Sequence, residues 1–217
     1  MRFDVAAARL GALSRRGSGV LPAPAGALMP TLRGGPDRRL REEPAPGQTG
    51  RAAAVLVLVY RDAAGDGRLV LIERASYDGH HSGEISFPGG KAEPGDADLV
   101  ATALREAAEE VGLHAAEAGV RVVGSLDRFW IPVSDFAVTP IVALAERAPV
   151  LVGQASEVAD ILEPGLDRFL PDAPIAMIDR TVGEWPLRYG HYEVDGRSVW
   201  GMTARVLSQL GAVLAGG

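Results

Sequence analysis

The chain of 217 residues contains no cysteine, which excludes a disulfide framework, a thiolate nucleophile and any Cys-bearing zinc site. It lacks an excess of positive charge: the net charge of −6 argues against nonspecific nucleic-acid binding, which needs a basic surface. An anionic ligand would therefore have to be drawn in by local cations rather than by the field of the whole molecule. No apolar run approaches the roughly 20 residues of a membrane span. The first ten residues are interrupted by Asp4 and Arg9 and form no secretory h-region, and no G-x-x-x-x-G-K-[ST] phosphate loop occurs. No internal repeat is visible. What is present is an ordinary globular composition, 47% apolar and 23% charged, with enough chain for one sizeable domain and an appendage. A cytoplasmic protein is expected, without nucleic-acid or membrane partners.

The chain divides near residue 50. Phe3, Ala7, Leu10 and Leu13 recur at helical spacing and predict an amphipathic surface helix. From Gly17 to Gly50 glycine and proline are dense, so regular helix or strand is not expected there. That stretch suits a wrapping segment, a homodimer contact or a plain connector; its basic residues Arg38, Arg39 and Arg41 suit either a solvated loop or a phosphate contact. The expected organisation is a helix and Gly/Pro-rich extension over 1–50, then a domain over 51–217. In that domain the Val-rich run Ala52 to Tyr60 predicts a strand buried on both faces. Further strands are expected over Leu69–Ile72, Ile85–Phe87, Arg121–Leu126, Thr139–Ala145 and Leu187–Glu193. Helices are expected from about Ala97 to Val111, near Leu166 to Leu170, and from about Met202 to Leu214, the first capped by Asp96.

The densest chemistry lies in Gly89-Gly90-Lys91-Ala92-Glu93-Pro94-Gly95-Asp96 and in Leu104-Arg105-Glu106-Ala107-Ala108-Glu109-Glu110-Val111-Gly112-Leu113. Glu106, Glu109 and Glu110 stand at i, i+3 and i+4, so they share one side of a helix, where like charges repel. A lone cluster of this kind is most often a solvated face. Here a glycine-rich loop precedes it, Arg105 adjoins it and Gly112 stops the helix behind it. A hard divalent cation with oxygen ligands would relieve the repulsion. Val100, Leu104, Ala107 and Val111 form the side expected to pack inward, with the glutamates facing away from it.

The pattern resembles the signature box of the Nudix hydrolases, at Gly90, Arg105, Glu106, Glu109, Glu110, Gly112 and Leu113. The first acidic position carries Asp96 where the family has Glu, and the interval from Asp96 to Arg105 is one residue longer than the family standard. Upstream, Leu71-Ile72-Glu73-Arg74-Ala75 and His81-Ser82-Gly83-Glu84-Ile85-Ser86-Phe87-Pro88-Gly89-Gly90 resemble the element that precedes the box in the coenzyme A pyrophosphatase branch. Gly79 stands where many members of that branch have Arg. Val138-Thr139-Pro140, Glu157-Val158-Ala159 and Trp200-Gly201-Met202-Thr203-Ala204-Arg205 are similar to the same branch.

The resemblance implies an α/β fold, a Nudix-type α/β/α sandwich with a mixed sheet. It also implies a Mg²⁺- or Mn²⁺-dependent hydrolase that splits coenzyme A or acyl-CoA into 3′,5′-ADP and (acyl-)4′-phosphopantetheine. Two rival readings are a hydrolase of another nucleoside-diphosphate-linked or damaged nucleotide, and a non-catalytic Nudix ligand sensor. Glu106, Glu109, Glu110 and the carbonyl of Gly90 are the expected metal ligands. Glu109 or Glu106 is the expected general base. Arg105 is expected to orient a carboxylate, with Glu93 and Asp96 both candidates for its partner. Arg74, His81 and Lys91 are the candidates to meet substrate phosphates. Trp185, Tyr189 and Tyr192 are weighed between stacking on a base and packing in the core; Trp200 is assigned to the core and His80 to an exposed position.

Overall fold

The computed structural model describes residues 1–15, 21–33, 43–44, 47–75, 83–132, 134–182 and 185–216. The chain opens with α1 (Phe3–Leu10), a two-residue strand β1 (Thr31–Leu32) and the long β2 (Arg51–Arg61). There follow β3 (Gly67–Leu69), β4 (Leu71–Arg74), β5 (Ile85–Ser86) and β6 (Gly89–Lys91), which lead into α2 (Leu99–Val111) and α3 (Ala115–Ala118). Next come β7 (Val120–Ser125), β8 (Phe129–Ile131), β9 (Phe136–Ala145) and β10 (Val158–Leu162). A 3₁₀ turn at Leu166–Phe169, then β11 (Ala176–Val182), β12 (Trp185–Val194), β13 (Arg197–Val199) and α4 (Gly201–Ala215) complete the order.

β2 organises everything else. Its eight consecutive buried residues, Ala53 to Tyr60, are the Val-rich run, and such a strand needs cover on both faces. It pairs in parallel with β9 from Arg51↔Phe136 to Tyr60↔Ala145 and antiparallel with β3 and β6. β7 and β8 extend the sheet from β9, which makes the sheet mixed. Side chains alternate across it. Ala54, Leu56 and Leu58 pack under Ala103, Ala107 and Val111 of α2. Val55, Val57 and Val59 enter the other core with Phe3, Ala6 and Leu10 of α1 and Leu207, Leu210 and Leu214 of α4. The main sheet thus lies between helical layers, the expected α/β/α arrangement.

Two smaller sheets flank it. One has the order β10–β4–β5; in the other β12 joins β1, β11 and β13. The expected strand over Leu69–Ile72 is split: β3 stays on β2 and β4 departs to the sheet with β10, with Val70 as the hinge between them. Segment 21–32, expected to lack regular structure, forms a 3₁₀ turn at Gly26–Leu28 and pairs β1 with β12. Gln209, fully buried on α4, anchors that segment: its amide donates to the Pro22 carbonyl (3.0 Å) and Asp127 (2.6 Å), while its oxygen accepts from the Asp127 N–H (3.0 Å). Arg38, Arg39 and Arg41 lie outside the described residues. In α1 the buried side chains are Phe3, Ala6 and Leu10, whereas Ala7, expected on that face, is only half-buried. No helix is long and apolar enough to cross a membrane among the described residues.

Candidate active site

α2 starts two residues later than expected, because Asp98 rather than Asp96 accepts the capping N–H, that of Ala101 (2.8 Å). Gly112 ends the helix in the left-handed conformation (φ 65°), as its position after the last apolar residue predicts. Freed from capping, Asp96 serves Arg105. The guanidinium grips it through Nε (2.9 Å) and NH2 (3.1 Å), while the Thr102 hydroxyl (2.8 Å) and the Glu93 N–H (2.9 Å) donate to the same carboxylate. Of the two candidate partners for Arg105, the structure selects Asp96. Four donors and a full positive charge hold its carboxyl well below the usual carboxylate range. Arg105 also donates to the Lys91 carbonyl (3.2 Å) and lies 3.0 Å from Glu106 and 3.1 Å from Glu109, tying the glycine loop to the helix.

The three glutamates occupy different environments. Glu109 is exposed and turned to Arg105. Glu106 is largely covered, and burial raises its pKa against the lowering effect of Arg105, with Glu109 and Glu157 adding repulsion. Glu110 was expected to face away from the core, yet it is 2% exposed. It sits on the inward edge of α2 beside Ala103, Ala107 and Val111, whereas Val100 and Leu104 are only half-buried. Its carboxylate accepts from the Gly89 N–H (2.8 Å) and lies 3.4 Å from Arg74 NH1. Burial nevertheless pushes its pKa up to about 7, with Glu106 and Glu157 contributing repulsion.

Among the described residues no three carboxylate or imidazole groups are gathered as a ready-made cation cluster; Glu110 is engaged by Arg74 and the Gly89 N–H, and Glu109 by Arg105. The donor set still suits a hard divalent ion: every candidate is an oxygen, and the Gly89 N–H and Arg74 only partly offset the burial of the Glu110 carboxyl. At Gly90 a Cβ atom would lie 2.5 Å from the Glu106 carboxylate, so only glycine lets the main chain come this close to the acidic group.

Arg74, at the end of β4, is brought to Glu110. Lys91 is not. It pairs with Glu93 (3.7 Å) and stands opposite Ala53, whose side chain enters the core away from α2, while its neighbour Gly90 stands opposite Ala54 on the α2 side. The Lys91 side chain therefore leaves the sheet on the face remote from the glutamates. His81, with His80 and Gly79, lies outside the described residues, as does the side chain of Trp185. Tyr189 and Tyr192 are buried: the first stacks on Trp200 (centroids 4.6 Å apart), the second packs edge-on against Phe169, and neither presents a face to a ligand.

Glu157 was not among the expected site residues. Its carbonyl accepts from Ala75 N–H (2.8 Å), beside Arg74, and its own N–H donates to Gln154 (2.8 Å), whose N–H in turn bonds the Glu110 carbonyl (2.8 Å). A third acidic side chain is thus delivered to Glu106 and Glu110 from outside the box. The sequence signal was its place in Glu157-Val158-Ala159, similar to the branch but without a chemical role attached.

Residues 50–164 match the NUDIX domain. The chain is 34% identical over 173 residues to the uncharacterized Nudix hydrolase NudL of Yersinia enterocolitica, spanning 78% of this chain and 86% of that protein. It is 34% identical over 169 residues to the mitochondrial Nudix hydrolase 15 of Arabidopsis thaliana, spanning 75% of this chain and 58% of that one. Among solved structures, the Nudix hydrolase RenU of M. smegmatis superposes with a TM-score of 0.53 at 19% identity, over 92% of this chain and 96% of that one, a likeness of fold.

Proposed function

Since the chain belongs to the Nudix hydrolases, a family acting on pyrophosphate bonds, we propose that it cleaves the diphosphate of coenzyme A or its acyl derivatives. Water adds to one phosphorus, the bridging P–O bond breaks, and 3′,5′-ADP and (acyl-)4′-phosphopantetheine leave. The observation that carries the reading is the meeting of Arg74 with Glu110, because it joins the branch-like upstream element to the box at one point.

Glu106, Glu110 and the Gly90 carbonyl are the proposed ligands of Mg²⁺ or Mn²⁺, with Glu109 able to swing in from its exposed position. Such an ion supplies Lewis-acid neutralisation of phosphate charge and lowers the pKa of bound water. Arg105, held by Asp96, fixes the pitch of the loop against the helix and so places the Gly90 carbonyl. Arg74 exchanges its contact with Glu110 for a substrate phosphate. Glu106 or Glu109 takes the proton from the attacking water, and Glu157, close enough to repel both Glu106 and Glu110, helps to orient that water.

The test is Mg²⁺- and Mn²⁺-dependent hydrolysis of coenzyme A beside NADH, ADP-ribose, diadenosine polyphosphates and oxidised nucleotides. Preference for coenzyme A with release of 3′,5′-ADP is expected. Activity confined to another nucleotide would retain the metal chemistry and overturn the substrate; Gly79, in place of the branch arginine, is the feature that would account for it. Silence across the panel would favour a ligand sensor.

A further inference from the structure

Among the described aromatic side chains, only Trp130, Phe136 and Trp200 keep partial exposure. Trp200 is taken up by Tyr189, and Phe136 lies beneath the guanidinium of Arg51, 4.1 Å from its ring centre. Trp130 is different. It stands opposite Ala137 on β9, and odd-numbered positions of β9 such as Ile141 and Ala143 face α2. The indole is therefore on the same face of the sheet as Gly90 and Glu106. At this end the sheet runs beyond the cover of α2, and Ala52 is exposed.

The ring is held in place. Its Nε1–H donates to Asp135 (3.0 Å), a non-glycine residue in the left-handed region (φ 51°). The loop that carries Asp135 is clamped by Arg51, whose N–H bonds the Asp135 carbonyl (2.7 Å) and whose guanidinium bonds that of Ser134 (2.6 Å). Gly50 (φ 68°) admits the ring: a Cβ there would lie 3.1 Å from the indole. A strained residue and a dedicated clamp are a large outlay for one surface tryptophan.

The spacing is that of a nucleotide. From Gly90 the sheet crosses to Trp130 through β2 and β9, three strand separations with an offset of two residues along the strands, about 16 Å in all. Seven bonds separate a bridging diphosphate oxygen from the glycosidic nitrogen, about 8 Å at the reach of an extended main chain, in which three bonds span roughly 3.5 Å. The widths of the base and the indole fill the remainder.

We propose that Trp130 is the stacking platform for the nucleobase of the substrate, with Asp135 as the residue that positions the ring. This rests on the reading that the substrate is a diphosphate-linked nucleotide. The experiment pairs steady-state kinetics with metal-free titration of tryptophan fluorescence, using adenosine 3′,5′-bisphosphate and ADP as probes. Wild type should be quenched by either probe. Trp130→Phe should abolish the quench yet keep KM within about two-fold, because the phenyl ring still stacks. Trp130→Ala should raise KM about ten-fold with kcat unchanged, within the range of one lost base stack. Trp130→Leu, which keeps apolar bulk at the sheet end, should match the alanine variant and guards against simple misfolding. A quench that persists in Trp130→Phe, or an unchanged KM in both Trp130→Ala and Trp130→Leu, overturns the proposal. If wild type prefers an adenine nucleotide other than coenzyme A, the substrate reading fails, while the variant-to-wild-type ratio on that nucleotide still decides the role of Trp130. If wild type turns nothing over, the quench decides it.

Discussion

Replacing Glu110 by glutamine should make the metal-free protein more stable while removing its activity. The carboxyl is 2% exposed and its pKa is pushed up to about 7 from an ordinary value of 4.5, chiefly by burial. At about 1.4 kcal/mol per pH unit, holding it ionised above neutrality costs about 3 kcal/mol. A carboxyl raised in the folded state stabilises in full below its ordinary pKa, and that contribution is lost as pH climbs through about 7. Glutamine is neutral throughout, and its side-chain oxygen can still accept from the Gly89 N–H. In EDTA at pH 8 the variant should therefore melt roughly 6–12 °C above wild type, since about 1 kcal/mol moves Tm by 2–4 °C at this size. At pH 4 the two should coincide. Adding Mg²⁺ at a hundred times its dissociation constant should stabilise wild type by about 2.7 kcal/mol and the variant hardly at all. Turnover should fall by about a hundred-fold or more. Differential scanning calorimetry at the two pH values, with and without metal, reads all of this. A variant that is less stable than wild type in EDTA at pH 8 would refute the reasoning, because Glu110 would then be a structural anchor.

Arg105→Lys keeps the charge but loses the fork that grips Asp96; kcat should drop at least ten-fold with little change in melting temperature, measured on whichever nucleotide wild type prefers. Asp96 is held well below the ordinary carboxylate range, so its contribution is present above that range and is lost as pH falls through its lowered value. Asp96→Asn should accordingly flatten the acid limb of a stability–pH curve followed by circular dichroism. Glu157→Gln should lower kcat by roughly ten- to a hundred-fold without weakening the fold, since its side chain is exposed and its structural bonds are main-chain bonds. Loss of secondary structure in that variant would remove Glu157 from the site.

The box was legible because its signals are local: helical spacing, a terminating glycine and a glycine loop all lie within 24 residues of sequence, Gly89 to Gly112. The buried strand β2 was legible for the same reason, since a Val-rich run needs no knowledge of its partners. What escaped depends on partners. Glu110 reads as a surface residue until Gly89 and Arg74 close over it from β6 and β4. Lys91 reads as a neighbour of the site until its opposition to Ala53 assigns it to the other face. The break between β3 and β4 leaves no mark in the apolar run from Leu69 to Ile72, because the two halves join different sheets for the sake of residues about 90 positions away, in β10. Glu157 reaches Glu106 and Glu110 through the pairing of β10 with β4, and Trp130 reaches the α2 face of the sheet through the pairing of β8 with β9.

The core on the far side of the main sheet interleaves Phe3 and Leu10 with Leu207, Leu210 and Leu214, and Arg9 of α1 hydrogen-bonds the Leu214 carbonyl. During synthesis the first of these side chains must wait for the last. A ribosome that has already released the whole catalytic box still holds back α4, so one face of β2 is only partly covered in the nascent chain. The domain then closes only once α4 has emerged, and the contacts that close it carry a high loop-closure entropy. The exposed valines of β2 are the surface that a chaperone would cover in that interval.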